Sequence, residues 1–314
     1  MTIDTRLHYK NKFVAGLVFT ILGAAGFSAK AILAKLCYRY GITGFATLTL
    51  RMLFALPLYA IIFTYYFRRE TKEIQTHFKR DIFVVSLVGL FGYYLASWFD
   101  FVGLEYISAS FERLLLFIYP TLVLFISLVW LKKRAGRREI AALVITYIGI
   151  GVAYHNEAAS LGEKAHIGAV YIVLAAITYA IYLVATEKLS KRYSPMVFTS
   201  FAILVSAFAI LIHSWIMQEK IWGFPREVYY YTVAMAIFCT VIPSLLIALG
   251  IAYIGSNRAA ILSALGPVLT IYLAYLVLGE DVNLIQTIGT VFVIGGVALL
   301  TIKPKQEKHA ESLS

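Results

Sequence analysis

Residues 103–120 read GLEYISASFERLLLFIYP, and residues 250–267 read GIAYIGSNRAAILSALGP. At one constant offset of 147, without a gap, Gly103, Tyr106, Ile107 and Pro120 meet Gly250, Tyr253, Ile254 and Pro267. Working outward, the same offset pairs Leu115 with Leu262, Leu122 with Leu269, Leu131 with Leu278, and Gly149 with Gly296. Leucine identities between apolar stretches arise by chance, so the Gly, Tyr and Pro matches carry the weight. Self-similarity at a fixed spacing marks a chain built from two copies of one unit.

The unit is made of apolar spans. With 314 residues, 61% hydrophobic and only 14% charged, the chain carries more apolar surface than one water-soluble core could bury. A membrane-crossing helix needs about 20 mostly apolar residues. Ten stretches qualify: 13–36, 44–67, 82–103, 108–131, 139–155, 167–187, 196–217, 229–252, 257–278 and 283–302. The expected fold is an all-α integral membrane protein of ten transmembrane helices, with five-helix repeats at 1–155 and 156–302 and a disordered cytoplasmic tail at 303–314. The longest internal connection is RRETKEIQTHFKRD (68–81). The first span follows Arg6, Lys10 and Lys12 but is too long for a signal-peptide core, so it reads as a retained helix.

Five spans per copy is an odd number, so the second copy enters the membrane from the opposite face. Inverted repeats of this kind let similar halves rock around a central site. The net charge of +11 invites a nucleic-acid reading, but the positions of the basic residues decide against it. With a cytoplasmic N-terminus, twenty Lys and Arg fall in the inside segments. Only Lys35, Arg39, Lys164, Lys220 and Arg226 fall outside. Basic loops resist translocation, which places both termini in the cytoplasm and the chain in the inner, cytoplasmic membrane.

Enzyme and cofactor signatures are missing. Cys37 and Cys239 lie in different apolar stretches without metal-ligand spacing and read as structural. The six histidines, His8, His77, His155, His166, His213 and His309, show no i, i+4 pairing for zinc. YIGIGVAY (147–154) holds a GxG inside an apolar span, which reads as close helix packing. No P-loop or serine elbow is present, so neither an enzyme nor a bound metal or cofactor is expected.

The stretch YLVLGEDVNLIQTIGTVFVIGGVALL (275–300), with Leu278, Gly279, Glu280, Gln286, Gly289 and Gly296, resembles the last helical hairpin of the drug/metabolite transporter superfamily, EamA type. TLTLRMLFAL around Arg51 and ERLLLFIYP (112–120) are similar to that family as well. The resemblance covers nearly the whole chain and implies ten helices and metabolite export, without naming a substrate. Two features depart from repeat symmetry: the counterpart of Glu280 is Lys133, and the seventh span has no arginine to match Arg51. The halves are chemically unequal.

Ionisable residues within spans are costly unless they face protein or water, which makes Lys30, Arg51, Asp100, Glu112 and Arg113 the candidate site. At 1.5 Å per residue they lie about 5 to 10 Å below the outer end, a common depth that predicts one polar cluster. The four-residue turn between the third and fourth spans predicts an Asp100–Arg113 ion pair that holds helices together and closes an outer gate. Lys30 and Arg51, with Glu112 nearby, are expected to attract a carboxylate or phosphate of the substrate. Phe27, Tyr93, Tyr94, Trp98, Tyr119, Tyr179 and Tyr182 are candidate rings of a substrate cage. Pro120 and Pro267 are expected to kink their helices as hinges.

The expected function is a secondary transporter that exports a small polar or amphipathic metabolite, such as an amino acid or other organic solute, by alternating access. Proton coupling through Glu112 or Asp100 and uncoupled exchange both fit. The expected partners are the lipid bilayer and a small-molecule substrate, with a homodimer left open and nucleic acid excluded. The rival readings are a membrane-embedded enzyme on lipid-linked substrates, which would need a catalytic constellation, and a channel or flippase, which would need a continuous polar stripe.

Overall fold

A hydrocarbon slab offers backbone N–H and C=O groups no water, so a chain this apolar must satisfy them within each segment. The computed structural model describes residues 3–130, 137–189, 192–254, 262, 265–281 and 284–301, and among these every regular element is a helix. In chain order the ten spans are α1 (Ile3–Tyr38), α2 (Gly44–Arg69), α3 (Lys72–Gly89, Leu90–Leu95, Ala96–Tyr106), α4 (Ala109–Leu116, Tyr119–Trp130) and α5 (Arg137–Leu161). There follow α6 (Glu163–Leu189), α7 (Pro195–Ile216), α8 (Arg226–Ala236, Ile237–Val241, Ile242–Ile254), α9 (Leu265–Leu273, Ala274–Leu278) and α10 (Leu284–Thr301). Six described segments, in α1, α2, α3, α6, α7 and α8, are long and apolar enough to cross a membrane alone, and Leu265–Leu278 and Leu284–Gly296 are shorter apolar helices. Phe83, Trp215 and Ile61 stand more than two-thirds exposed, which suits a lipid-facing surface and would be costly in water.

The two copies pack as a pseudo-symmetric pair. α1 lies along α8 as α6 lies along α3, and α1 meets α9 as α6 meets α4. α2 pairs with α7 and α5 with α10, each helix meeting its own repeat partner. Leu90 in α3 and Ile237 in α8 stand 147 residues apart, and each begins a π-helical turn, a feature that widens a helix locally. The matched Gly, Tyr and Ile of the opening stretch make the same contact twice. A Cβ on Gly168 of α6 would strike Ile107 Cγ2 at 2.5 Å and Tyr106 Cβ at 3.1 Å. On Gly16 of α1 it would strike Ile254 Cγ2 at 2.6 Å and Tyr253 Cβ at 2.8 Å. The internal homology is thus written in the residues where each repeat's third helix crosses the other repeat's first.

Local structure departs from expectation in two places. The stretch 68–81 is mostly helix: Thr71 accepts the Ile74 N–H at 3.3 Å and starts α3, while Phe78 is buried edge-on to Tyr193 and Phe201. The fourth span is two helices, broken at Phe117, whose ψ of 5° leaves the helical range. Pro120 therefore sits in the first turn of a new helix, where its missing N–H costs little, and does not kink a continuous one. Pro267 lies in Leu265–Leu273, and the residues just before that segment lie outside the described residues. Lys133, Arg258 and the tail at 303–314 lie outside the described residues.

Of the two glycines in YIGIGVAY, Gly149 packs against the Gly289 carbonyl at 2.6 Å from its Cβ position, whereas Gly151 has nothing within 4 Å. Gly149→Ala and Gly168→Ala should each destabilise the protein by at least about 1–3 kcal/mol through overpacking. Gly151→Ala should leave stability unchanged or raise it. Melting temperatures of the purified variants in detergent check this, and equal values for all three would refute the packing account.

Candidate functional site

Four helices, α1 to α4, bring the intramembrane charges together. Ser108 accepts the Phe111 N–H at 3.1 Å and so begins α4 immediately after α3 ends, which sets Glu112 one turn into the helix. Glu112 then faces α1, where Lys30 Nζ lies 3.1 Å from its Oε1. The same ammonium pairs with Oδ2 of Asp100 on α3. Lys30, Asp100 and Glu112 are each less than a tenth exposed. The expected Asp100–Arg113 pair is not formed: Lys30 takes Asp100. Arg113, a helical step of about 100° from Glu112, points elsewhere, with a guanidinium nitrogen 2.9 Å from the Cβ position of Gly266.

Arg51 on α2 is buried and holds its guanidinium carbon 5.0 Å from the centre of the Phe101 ring, with Lys30 Nζ 5.5 Å from the same ring. A cation over an aromatic face is attracted by the ring quadrupole, but gains no neutralising charge. Among the described residues neither Arg51 nor Arg113 has a carboxylate within 4.0 Å. The Nε atoms of both arginines, Oδ1 of Asp100 and Oε2 of Glu112 are buried without a hydrogen-bond partner.

Lys30, Arg51, Asp100 and Arg113 border a cavity of about 250 Å³. Its lining takes Phe27 and Lys30 from α1, Arg51 from α2, Tyr93 and Asp100 from α3, and Arg113, Phe117 and Tyr119 from α4. The second repeat adds Tyr179 from α6 and Cys239 and Ile247 from α8. Tyr119 stands edge-on to Tyr179 at 5.2 Å, and Phe117 edge-on to Tyr119 at 5.9 Å. Of the sequence candidates, Phe27, Lys30, Arg51, Tyr93, Asp100, Arg113, Tyr119 and Tyr179 therefore meet at one cavity. Glu112 sits behind Lys30, fully buried. Tyr182 packs behind the wall on Tyr93 and the Gly92 backbone. Tyr94 and Trp98 turn away from the lining to His213 and Phe45, with Tyr94 Oη 2.9 Å from His213 Nδ1.

Several participants had no signal in the sequence reading. Phe101, the ring under both cations, is one apolar residue among many. Ser28 donates to the Gly266 carbonyl at 3.1 Å and its own carbonyl accepts from Thr270 at 3.2 Å, tying α1 to the start of α9. The N-terminus of α4 is clasped by two carboxylates. Glu280 accepts from Ala109 N at 2.8 Å and from Ser110 N and Oγ at 3.2 and 2.7 Å. Glu157 accepts from Ser108 N and Oγ at 2.6 and 3.0 Å. Carboxylates satisfy the orphan N–H groups and the positive end of the helix dipole there. The family resemblance had singled out Glu280 without a role.

Two stretches, 14–154 and 166–302, each match the model of the EamA-like transporter family. The chain belongs to that family. YcbK of Bacillus subtilis (strain 168), an uncharacterized transporter by name, is 32% identical over 297 residues, spanning 92% of this chain and 94% of its own. An uncharacterized transporter of Synechocystis sp. is 25% identical over 328 residues, spanning 96% and 98%. A crystal structure that matches with a TM-score of 0.65 at 17% identity, over 96% of this chain and 99% of the other, has the same fold. This EamA-type chain is therefore a multi-pass membrane transporter and not an enzyme.

Removing the shared cation leaves two buried carboxylates facing each other. Lys30→Met should cost about 3–5 kcal/mol, the usual penalty for orphaning a buried charge. The triple change Lys30→Met with Asp100→Asn and Glu112→Gln should recover most of that. Thermal unfolding of the three proteins reads the effect, and a Lys30→Met variant as stable as the parent would refute the bridging role.

Proposed function

We propose that the chain is a secondary carrier that exports a small polar or amphipathic metabolite by alternating access, with the charged, ring-lined cavity as its substrate site. The observation that carries this is the composition of the cavity wall: helices of both repeats meet there, so rocking one repeat against the other opens the same space to alternate faces. The repeats divide at residue 155, with 1–155 and 156–302 as the two units.

The basic residues orient it. Twenty Lys and Arg on one side against five on the other support a reading with both termini in the cytoplasm and the protein in the inner membrane. The carboxylates of Glu280 and Glu157, which clasp the N-terminus of α4, would then hold the external face closed. Opening that face requires α4 to leave them, which makes Glu280 and Glu157 a latch.

Purified protein in liposomes, given the compounds that most raise its melting temperature, should show saturable flux that is accelerated by the same compound preloaded on the far side. Flux that rises linearly with concentration, without this counterflow, would mark a channel. Glu280→Ala should loosen the external closure, seen as faster reaction of Cys239 with a membrane-impermeant thiol reagent added outside. An unchanged rate would remove the latch from the mechanism. A reporter fused after Ser314 should be active only in the cytoplasm.

A further inference from the structure

The five charges at the cavity do not balance. Three cations, Lys30, Arg51 and Arg113, stand with two carboxylates, Asp100 and Glu112. Both carboxylates are engaged by Lys30, so the excess positive charge belongs to the two arginines. Arg51 is nine-tenths buried, borders the cavity, and has an Nε without a hydrogen-bond partner, as does Arg113. A buried guanidinium without an anion is unfavourable, and a guanidinium's planar fork suits the two oxygens of a carboxylate.

We propose that the transported substrate is an organic monoanion, a carboxylate on an aromatic or similarly flat apolar body, seated on Arg51 and Arg113. This rests on the reading of the cavity as the transport site and names its substrate class. One negative charge neutralises the excess, whereas a phosphate dianion would overshoot it. The body of the substrate lies against Phe27, Tyr93, Phe117, Tyr119 and Tyr179. The hydroxyls of Tyr119 and Tyr179 make no hydrogen bond among the described residues, which leaves them free to donate to the carboxylate or a nearby oxygen. Lys30 is no substrate ligand here. It holds Asp100 and Glu112 and thereby leaves the arginines without an internal counter-ion. A free ammonium on the substrate would cancel the neutralisation its carboxylate supplies, so a zwitterion is the weaker ligand.

Cys239, a free thiol in the cavity wall, provides the readout. The full chain carrying Cys37→Ala is purified in detergent and treated with N-ethylmaleimide in the presence of benzoate, phenylpyruvate, benzamide, benzylamine, phenylalanine or phthalate. Benzoate or phenylpyruvate should slow the labelling of Cys239 and raise the melting temperature, with the neutral, cationic, zwitterionic and dianionic probes much weaker. Arg51→Gln and Arg113→Gln should each weaken the monoanion's apparent affinity about tenfold to a hundredfold, the usual effect of losing one charged hydrogen-bonding partner. Arg113→Lys should retain part of it, which guards against a variant that merely misfolds. Protection by benzamide equal to that by the monocarboxylates, or stronger protection by phenylalanine or phthalate, overturns the monoanion while leaving the cavity as the site. Protection by none of the six probes overturns the monoanion as well. If saturable liposome flux of another compound then proceeds and that compound also leaves Cys239 unprotected, the cavity reading falls with it.

Discussion

The ammonium of Lys30, shared between Asp100 and Glu112, is the contact on which the rest of the bundle's polar interior depends. Each of these three groups alone would be forbidden at this depth, because an apolar surround offers no water to solvate a charge. Together they join α1, α3 and α4 at one point and present the cavity with a surface whose charges are mostly spent. They also decide what remains unspent. Because Lys30 claims Asp100, Arg113 is released from its expected partner and Arg51 is left to the face of Phe101. The polar centre is therefore a lysine-bridged pair of carboxylates with two guanidiniums beside it.

Around that centre the backbone is nearly two-fold symmetric while the chemistry is not. Gly16 against Tyr253 and Ile254, and Gly168 against Tyr106 and Ile107, repeat one close crossing at two places, and π turns recur at matching positions in α3 and α8. Close packing of small residues is what holds helices together where lipid removes the hydrophobic driving force between them. The five candidate charges all belong to the first repeat, and the second contributes mainly walls: Tyr179, Cys239 and Ile247. Symmetry supplies the rocking geometry, and asymmetry supplies a single seat within it. The clasp on α4 fits this division. Glu157 and Glu280, each in or next to the last helix of its repeat, both reach the N-terminus of the short helix that carries Glu112 and Arg113. A motion that loosens the clasp moves two of the five charges directly.

The number of helices, the two-copy plan and the membrane environment were determined by sequence alone, for a physical reason. Hydropathy over about 20 residues is a local property, and a bilayer leaves a helix as the only span for such a segment. The membership of the charge cluster was legible too, since any ionisable residue inside a span must find protein or water. Lys30, Arg51, Asp100, Glu112 and Arg113 do meet. What pairs with what was decided only in three dimensions. Which acid an ammonium selects depends on helix rotation and on crossings set by Gly16, Gly103, Gly168 and Gly250, and neither follows from the length of the α3–α4 turn. The same dependence sent Tyr94 and Trp98 to His213 while keeping Tyr119 and Tyr179 in the wall, although all four read alike as aromatic residues on charged or repeat-partner spans. The break at Phe117 and the long-range reach of Glu280 to Ala109 and Ser110 escaped sequence reasoning as well. The clasp rests on hydrogen bonds between segments far apart in the chain, which only the folded bundle brings within reach, and the break at Phe117 turns on the ψ of a single residue.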